Sequence, residues 1–424
     1  MLAGRSIYYG VLLYLSHITG RLWPAVLVQA FAVLLAISLT LQTFGSFTWL
    51  RLTVVSLVLA TLTPMSFFVS LLTPDIFAGI TVLAVSNLLL QGSLMPFWMR
   101  STWIALLSAA LLFHTSHLLI AVALLAVGLP YALFARVSIS WKGIAGVVVA
   151  LTIAFVGEAV FNLGVTKLVG AAPIRPPFLM ARMIADGPGS DYLAASCPAS
   201  QLAVCQFVKR LPIGDWDFLW STDPATGVFA VADPETRRRL ADEQYRFAWA
   251  TFKFDPLGVL AAMLRNSADQ LMLIGLAEFN YDSNEKKFLT AHVPEPYLQR
   301  LLTTRAWNET VPTHVMSVTV AISTVLSLLY LTSVTLIRRR PSVHEKRLLV
   351  FMNIAVGGTI INAVVCATLA MRLERYQARV VWLLPLVAIL CEQRLNRGFW
   401  QKIISTIDSF RTRASTQSHA SKHE

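Results

Sequence analysis

Three short polar motifs interrupt long apolar runs: Thr73-Pro74-Asp75, His114-Thr115-Ser116-His117 and Arg372-Leu373-Glu374-Arg375-Tyr376-Gln377-Ala378-Arg379. In the third, Arg375 and Arg379 lie one helical turn apart with Tyr376 between them. Planar guanidinium groups at a bilayer edge suit a phosphate or pyrophosphate headgroup, which they hold through paired hydrogen bonds. The competing reading is snorkelling to the interface or an ion pair with Glu374. Asp75 and Glu374 are the carboxylates available to take a proton from an attacking hydroxyl, although Asp75 also suits a helix N-cap. His114 and His117 can meet on one helix face as proton carriers or ligands, or serve as polar turn residues. No partner Cys or acidic cluster joins them, so neither a metal nor another cofactor is expected.

The elements that position these motifs are set by composition. The chain has 424 residues, 56% hydrophobic and 14% charged, more apolar surface than a soluble domain hides. The net charge of +12 forms no basic stripe interleaved with base-stacking aromatics, so nucleic acid is excluded as a partner. Uncharged runs of roughly 17 to 23 residues, long enough to cross hydrocarbon as helices, fall near 24–44, 52–72, 76–95, 101–116, 117–135, 143–165, 312–337 and 348–371. The run 101–135 is split into a tight helical hairpin at His114 to His117, and a further crossing begins around Tyr376. The expected fold is an all-α polytopic membrane protein with about nine transmembrane helices and a large external, mostly helical insertion. Its divisions are an N-terminal transmembrane bundle over 1–165, the insertion over 166–311, three C-terminal helices over 312–392 and a basic tail over 393–424.

Lys and Arg in short loops are retained on the cytoplasmic side. Arg338, Arg339, Arg340, Lys346 and Arg347, with Arg394, Arg397, Lys402, Arg411, Arg413 and Lys422 of the tail, are therefore expected inside. Arg51, Arg100, Arg136 and Lys142 mark the other cytoplasmic turns, which puts the insertion and the loop 372–379 outside. The arginines of that loop run against the bias the other short loops obey, and a bound anion would account for them. The N-terminus also falls outside, so either the start is incomplete or a short tail translocates.

Within the insertion, Cys197 and Cys205 are external, close in sequence and expected to be bonded. Cys366 and Cys391 lie in apolar runs as small hydrophobes. Asp233-Pro234-Glu235 starts a helix, and Phe247, Phe254, Leu257, Leu260, Leu264, Ala268 and Leu271 recur near helical spacing with a break at Asp255-Pro256. Such helices lie along the membrane surface or pack on the bundle. The acidic residues from Asp215 to Asp223 and the trio Arg237 to Arg239 read as solvated faces. Glu158, inside an apolar run, either reacts or pairs with an arginine.

The pattern resembles the C-class multispanning glycosyltransferases, which use polyprenyl-phosphate sugars on the outer membrane face. The similar segments are Gly4-Arg5-Ser6-Ile7-Tyr8-Tyr9-Gly10-Val11-Leu12-Leu13, the turn Thr73-Pro74-Asp75, Phe254-Asp255-Pro256-Leu257, and Glu374-Arg375-Tyr376 followed by Trp382-Leu383-Leu384-Pro385. The resemblance implies a polyprenyl-phosphate lipid donor, a glycan or lipid acceptor, surrounding membrane lipids and a bacterial inner-membrane location. It implies Asp75 and Glu374 as catalytic candidates, and Arg375, Arg379, Tyr376, His114 and His117 as substrate-binding ones. That group carries its catalytic acid in the first external loop, upstream of the segment matched by Gly4 to Leu13. Either that part precedes Met1 or the chain is a non-catalytic relative. Two alternatives stay open: a ligase or polymerase of lipid-linked glycans, and a non-catalytic transporter.

Overall fold

The computed structural model describes residues 6–18, 20–337 and 341–395, and every regular element among them is helical. The N-terminal part holds α1 (Ile7–Ile18), α2 (Trp23–Thr43), α3 (Trp49–Leu62), α4 (Met65–Ser70), α5 (Phe77–Gln91), α6 (Phe97–Phe113), α7 (Thr115–Phe134) and α8 (Trp141–Val169). The insertion follows with α9 (Phe178–Ala185), α10 (Pro188–Ser196), α11 (Asp215–Trp220), α12 (Pro234–Phe254), α13 (Pro256–Met272), α14 (Ser283–His292) and α15 (Glu295–Leu302). The chain returns through α16 (Thr313–Ile337), α17 (Val343–Leu369), α18 (Glu374–Val381) and α19 (Leu383–Leu395).

Six stretches among the described residues are long and apolar enough to cross a membrane, as in a multi-pass membrane protein: Trp23–Thr43, Pro74–Gln91, Thr115–Phe134, Trp141–Val169, Thr313–Ile337 and Val343–Leu369. The bent pair α12 and α13 would make a seventh if taken as one span, so length and composition do not reach nine. The crossing expected over 52–72 is broken. Thr63 is extended and α4 restarts behind Pro64, whose ring cannot continue the helix of α3. At His114 the expected hairpin narrows to a single extended residue before α7 resumes. The last segment starts at Glu374 and is interrupted at Trp382.

Helix ends follow local chemistry. Ser140 caps α8 by accepting from the Gly143 amide, and α8 stops at Gly170, whose φ of +75° a side chain would resist. Ser342 and Glu345 form a capping box on α17. Asp233 caps α12, and Asp255 caps α13 with Pro256 behind it, turning the chain through 110°. Every residue of α5 is buried, and α2, α6, α7, α8 and α17 pack around it.

The insertion has its own core of Met180, Ile184, Leu193, Phe218, Phe229 and Phe247. Cys197 and Cys205 are joined there as a disulfide with Cα atoms 5.5 Å apart. Two faces expected to be solvated are partly used inward. Asp215 accepts from the buried Arg182 at 2.9 Å, and Arg237 donates to the carbonyls of Phe229, Ala230 and Ala232. Both places close loops whose carbonyls and guanidinium need partners once buried. Glu158 pairs with Arg175. Residues 1–5, 338–340 and 396–424, and with them the expectations on Gly4, Arg5, Arg338 to Arg340 and most tail cations, lie outside the described residues.

Candidate functional site

The loop between α17 and α18 is pinned to the insertion before α18 begins. Gln270 of α13 donates to the Leu373 carbonyl at 2.8 Å and accepts its amide at 3.1 Å, while Arg372 reaches Asp269 at 2.5 Å. Glu374 accepts from the Ala277 amide at 2.7 Å, and its own amide donates to Glu278 at 2.7 Å. These bonds fix where α18 starts, and hence which way Arg375, Tyr376 and Arg379 point.

Arg379 points into the bundle and is fully buried. Its Nη1 donates to Asp75 Oδ1 at 2.8 Å, its Nε and Nη2 to Asn362 Oδ1 at 3.2 and 3.0 Å, and its Nη2 also to Ser116 Oγ at 3.2 Å. Asn362 in turn donates to the Tyr376 carbonyl at 2.6 Å and to Gln377 Oε1 at 3.1 Å. Burying a guanidinium costs several kcal/mol unless its donors are matched, and this shell of acceptors matches them. Asp75 caps no helix; the side chain that a Pro-Asp turn offers to solvent is turned inward by this pairing.

Arg375, one turn earlier, faces a small cavity of about 50 Å³ lined by Ser6, Tyr9, Thr73, Asp75, His114 and Tyr376, with Pro74 and Phe113 completing the wall. The Tyr376 ring lies against both guanidinium groups, its centroid 5.2 Å from the central carbon of Arg375 and 5.3 Å from that of Arg379. Thr73 Oγ1 and Arg375 Nε are buried without a hydrogen-bond partner. Unsatisfied polar atoms around a small void are the condition under which a polar guest is held.

His114 caps α7 by accepting from the Ser116 amide at 3.1 Å and lines the cavity. His117 stands behind it, rings 5.2 Å apart, with Nδ1 donating to the Ala110 carbonyl at 2.8 Å and Nε2 buried without a partner. Asp75, His114, Arg375 and Tyr376 thus meet at one cavity. Arg379 and His117 support its wall, and Glu374 sits apart as a clip to the insertion. Among the described residues no group of His, Cys, Asp and Glu could hold a metal ion.

No family model matches the chain, and no curated protein or solved structure matches it.

Four contributors to the site stand out weakly or not at all in the sequence. Asn362 is one of two amides, with Asn353, in an apolar run, which is itself a signal of an intramembrane polar partner. Ser6 and Tyr9 figure there only as part of a longer motif, and Tyr9 is set in place by donating to Gln29 Oε1 at 3.1 Å. Glu278, 3.9 Å from Arg375, carries no local pattern that distinguishes it from any loop carboxylate.

Proposed function

We propose that this chain is a membrane glycosyltransferase-like protein that engages a polyprenyl-phosphate-linked sugar at the insertion-side face, with Arg375 as the phosphate contact. The observation that carries the reading is Arg375 facing a cavity shared with Asp75, His114 and Tyr376 beside the apolar bundle, where the buried Thr73 Oγ1 has no hydrogen-bond partner. The cavity holds a phosphate group or a few waters but not a sugar, so the glycan lies toward the insertion and the polyprenyl tail stays in lipid. In the transfer, an acceptor oxygen attacks the anomeric carbon, the bond from that carbon to the phosphate oxygen breaks with its electron pair leaving on phosphate, and a carboxylate takes the hydroxyl proton. Of Asp75 and Glu374, only Asp75 lines the cavity, so it is the candidate base. Its carboxylate already accepts from Arg379, which makes positioning of the cavity floor its more secure role.

Nine crossings result when α3 with α4, α6, and α18 with α19 are added to the six long apolar stretches. At about 1.5 Å per residue, α3 alone falls short of a hydrocarbon core of about 30 Å, and α4 behind Pro64 extends the crossing. The insertion is then external, on the periplasmic side of a bacterial inner membrane.

The test is binding of a polyprenyl phosphate to the detergent-solubilised full chain, with inorganic phosphate and a phospholipid as competitors. Arg375→Ala is expected to weaken binding by roughly ten- to a hundredfold, the worth of a charge-assisted hydrogen bond, and Arg375→Lys by less. Equal binding by the wild type and both variants would overturn the assignment. With a sugar-loaded donor, single-sugar addition supports a transferase, whereas transfer of a whole glycan supports the ligase or polymerase alternative.

A further inference from the structure

Helix α13 is amphipathic in an inverted sense. Its buried stripe is Val259, Ala262, Asn266 and Gln270, half of it polar, and the polar members are satisfied by Asp186 Oδ2 at 2.8 Å and by the Leu373 backbone. The opposite stripe is Leu257, Leu260, Ala261, Leu264, Ala268 and Leu271, without a polar side chain. Leu257 is 77% exposed and Leu264 73%. A helix bathed in water puts its apolar stripe inward; this one puts it outward.

The placement of α13 says what covers that stripe. Val259, Ala262 and Met263 share a cavity wall with Thr368 and Leu369 at the end of α17, while Asp269 and Gln270 bind Arg372 and Leu373. Both halves of α13 therefore pack on the insertion-side end of an apolar, membrane-length helix. α17 in turn exposes apolar Ile360, Val364 and Leu369. On the far side of the elbow, α12 carries exposed Tyr245 and Trp249, with Lys253 over the Trp249 ring at 5.9 Å. Trp249 lies six residues before Asp255, a rise of about 9 Å along α12, which suits aromatic rings and cations at headgroup level above a helix sunk at the acyl boundary.

We propose that α13 is a monotopic anchor, lying parallel to the membrane with the Leu257, Leu260, Leu264 and Leu271 face immersed in the acyl region of the insertion-side leaflet. The insertion is then moored to lipid as well as to α17, and the α17–α18 loop that leads into Arg375 is held at a fixed depth. Such an anchor requires the membrane character of the chain and not its proposed chemistry.

The experiment places a nitroxide on a cysteine at Leu264, with a second variant at Leu257 and a control at Asp242 on the exposed surface of α12, each in the full chain in phosphatidylcholine and phosphatidylglycerol nanodiscs. Collisions with oxygen at 264 and 257 are expected to exceed those with a water-soluble nickel chelate several-fold, and the ratio should invert at 242. Nickel accessibility at 264 and 257 equal to that at 242 would overturn the anchor. So would occlusion from both reagents with dipolar broadening, which would mean a second copy of the chain covers the face. If the label at Leu264 prevents folding, the oxygen-to-nickel ratio at Leu257 alone decides between these outcomes.

Discussion

Arg379 of α18 and Asp75, 304 positions apart in the chain, form a buried ion pair at 2.8 Å that joins the start of the α5 span to the last helical segment. A pair of this kind contributes little net stability over apolar residues of the same shape, but losing one member strands the other. Asp75→Asn and Arg379→Met should each destabilise the protein by about 3 to 5 kcal/mol, while Asp75→Leu combined with Arg379→Met should recover much of the loss. Thermal unfolding in detergent measures this. Strictly additive effects would show that the two groups do not depend on each other.

Trp382 fixes the far end of the same network, donating from Nε1 to the Arg379 carbonyl at 3.0 Å. It fits because position 79 is glycine: a Cβ there would stand 2.6 Å from the indole. Gly79→Ala should therefore cost about 1 to 3 kcal/mol through overpacking and also weaken phosphate binding by shifting Arg379. Gly357→Ala, where a Cβ meets nothing within 4 Å, is the control and should be neutral or stabilising. Equal effects at both positions would show that Trp382 does not position the site.

The membrane character was legible because hydrocarbon demands long uncharged helices, and α8, α16 and α17 meet that demand in plain composition. Breaks were less legible. Pro64 ends α3 through a local steric rule that an apolar run conceals, and α5 needs the preceding turn at Pro74 to reach spanning length. The arginine loop announced a site because its charge opposes the surrounding pattern. What it could not announce was the division of labour, in which Arg379 turns inward to Asp75 and Asn362 while Arg375 faces the cavity. That division depends on the helical phase of α18, set by Gln270 and Glu374 binding backbone groups across more than ninety residues of sequence.

Sidedness can be read by cysteine labelling. Glu235 at the start of α12 and His344 at the start of α17 are both exposed, and the charge distribution puts them on opposite faces of the membrane. An impermeant maleimide applied to intact cells should label Glu235→Cys and spare His344→Cys until the membrane is opened. The Cys197–Cys205 bond should also be oxidised in cells, as expected outside a reducing cytosol. Labelling of both positions from one side would reverse or break the proposed topology.

Glu278 is the anion that competes for Arg375. It lies outside the spans, 3.9 Å from Arg375 Nε, and accepts the Glu374 amide at 2.7 Å. Burial pushes its carboxyl above the ordinary value, and the neighbouring charge of Glu374 adds to this; Arg375 and the backbone amides of Glu374 and Arg375 pull the other way and lose. With the folded value raised, the folded state binds more protons than the unfolded one between the two values. Stability from this group is thus complete below the unfolded value and is lost as pH rises through the folded one. Above its folded value Glu278 is therefore an anion that burial disfavours, beside the proposed phosphate contact. Glu278→Gln keeps the acceptor for the Glu374 amide and removes the charge, so it should bind polyprenyl phosphate more tightly than wild type at pH above the folded value of Glu278, without losing stability. The gap should close as pH falls and wild-type Glu278 takes up its proton. Because the ligand titrates identically in both proteins, the ratio of their affinities across pH isolates this residue. A ratio that stays at one, or a difference that does not change with pH, would show that Glu278 exerts no hold on Arg375.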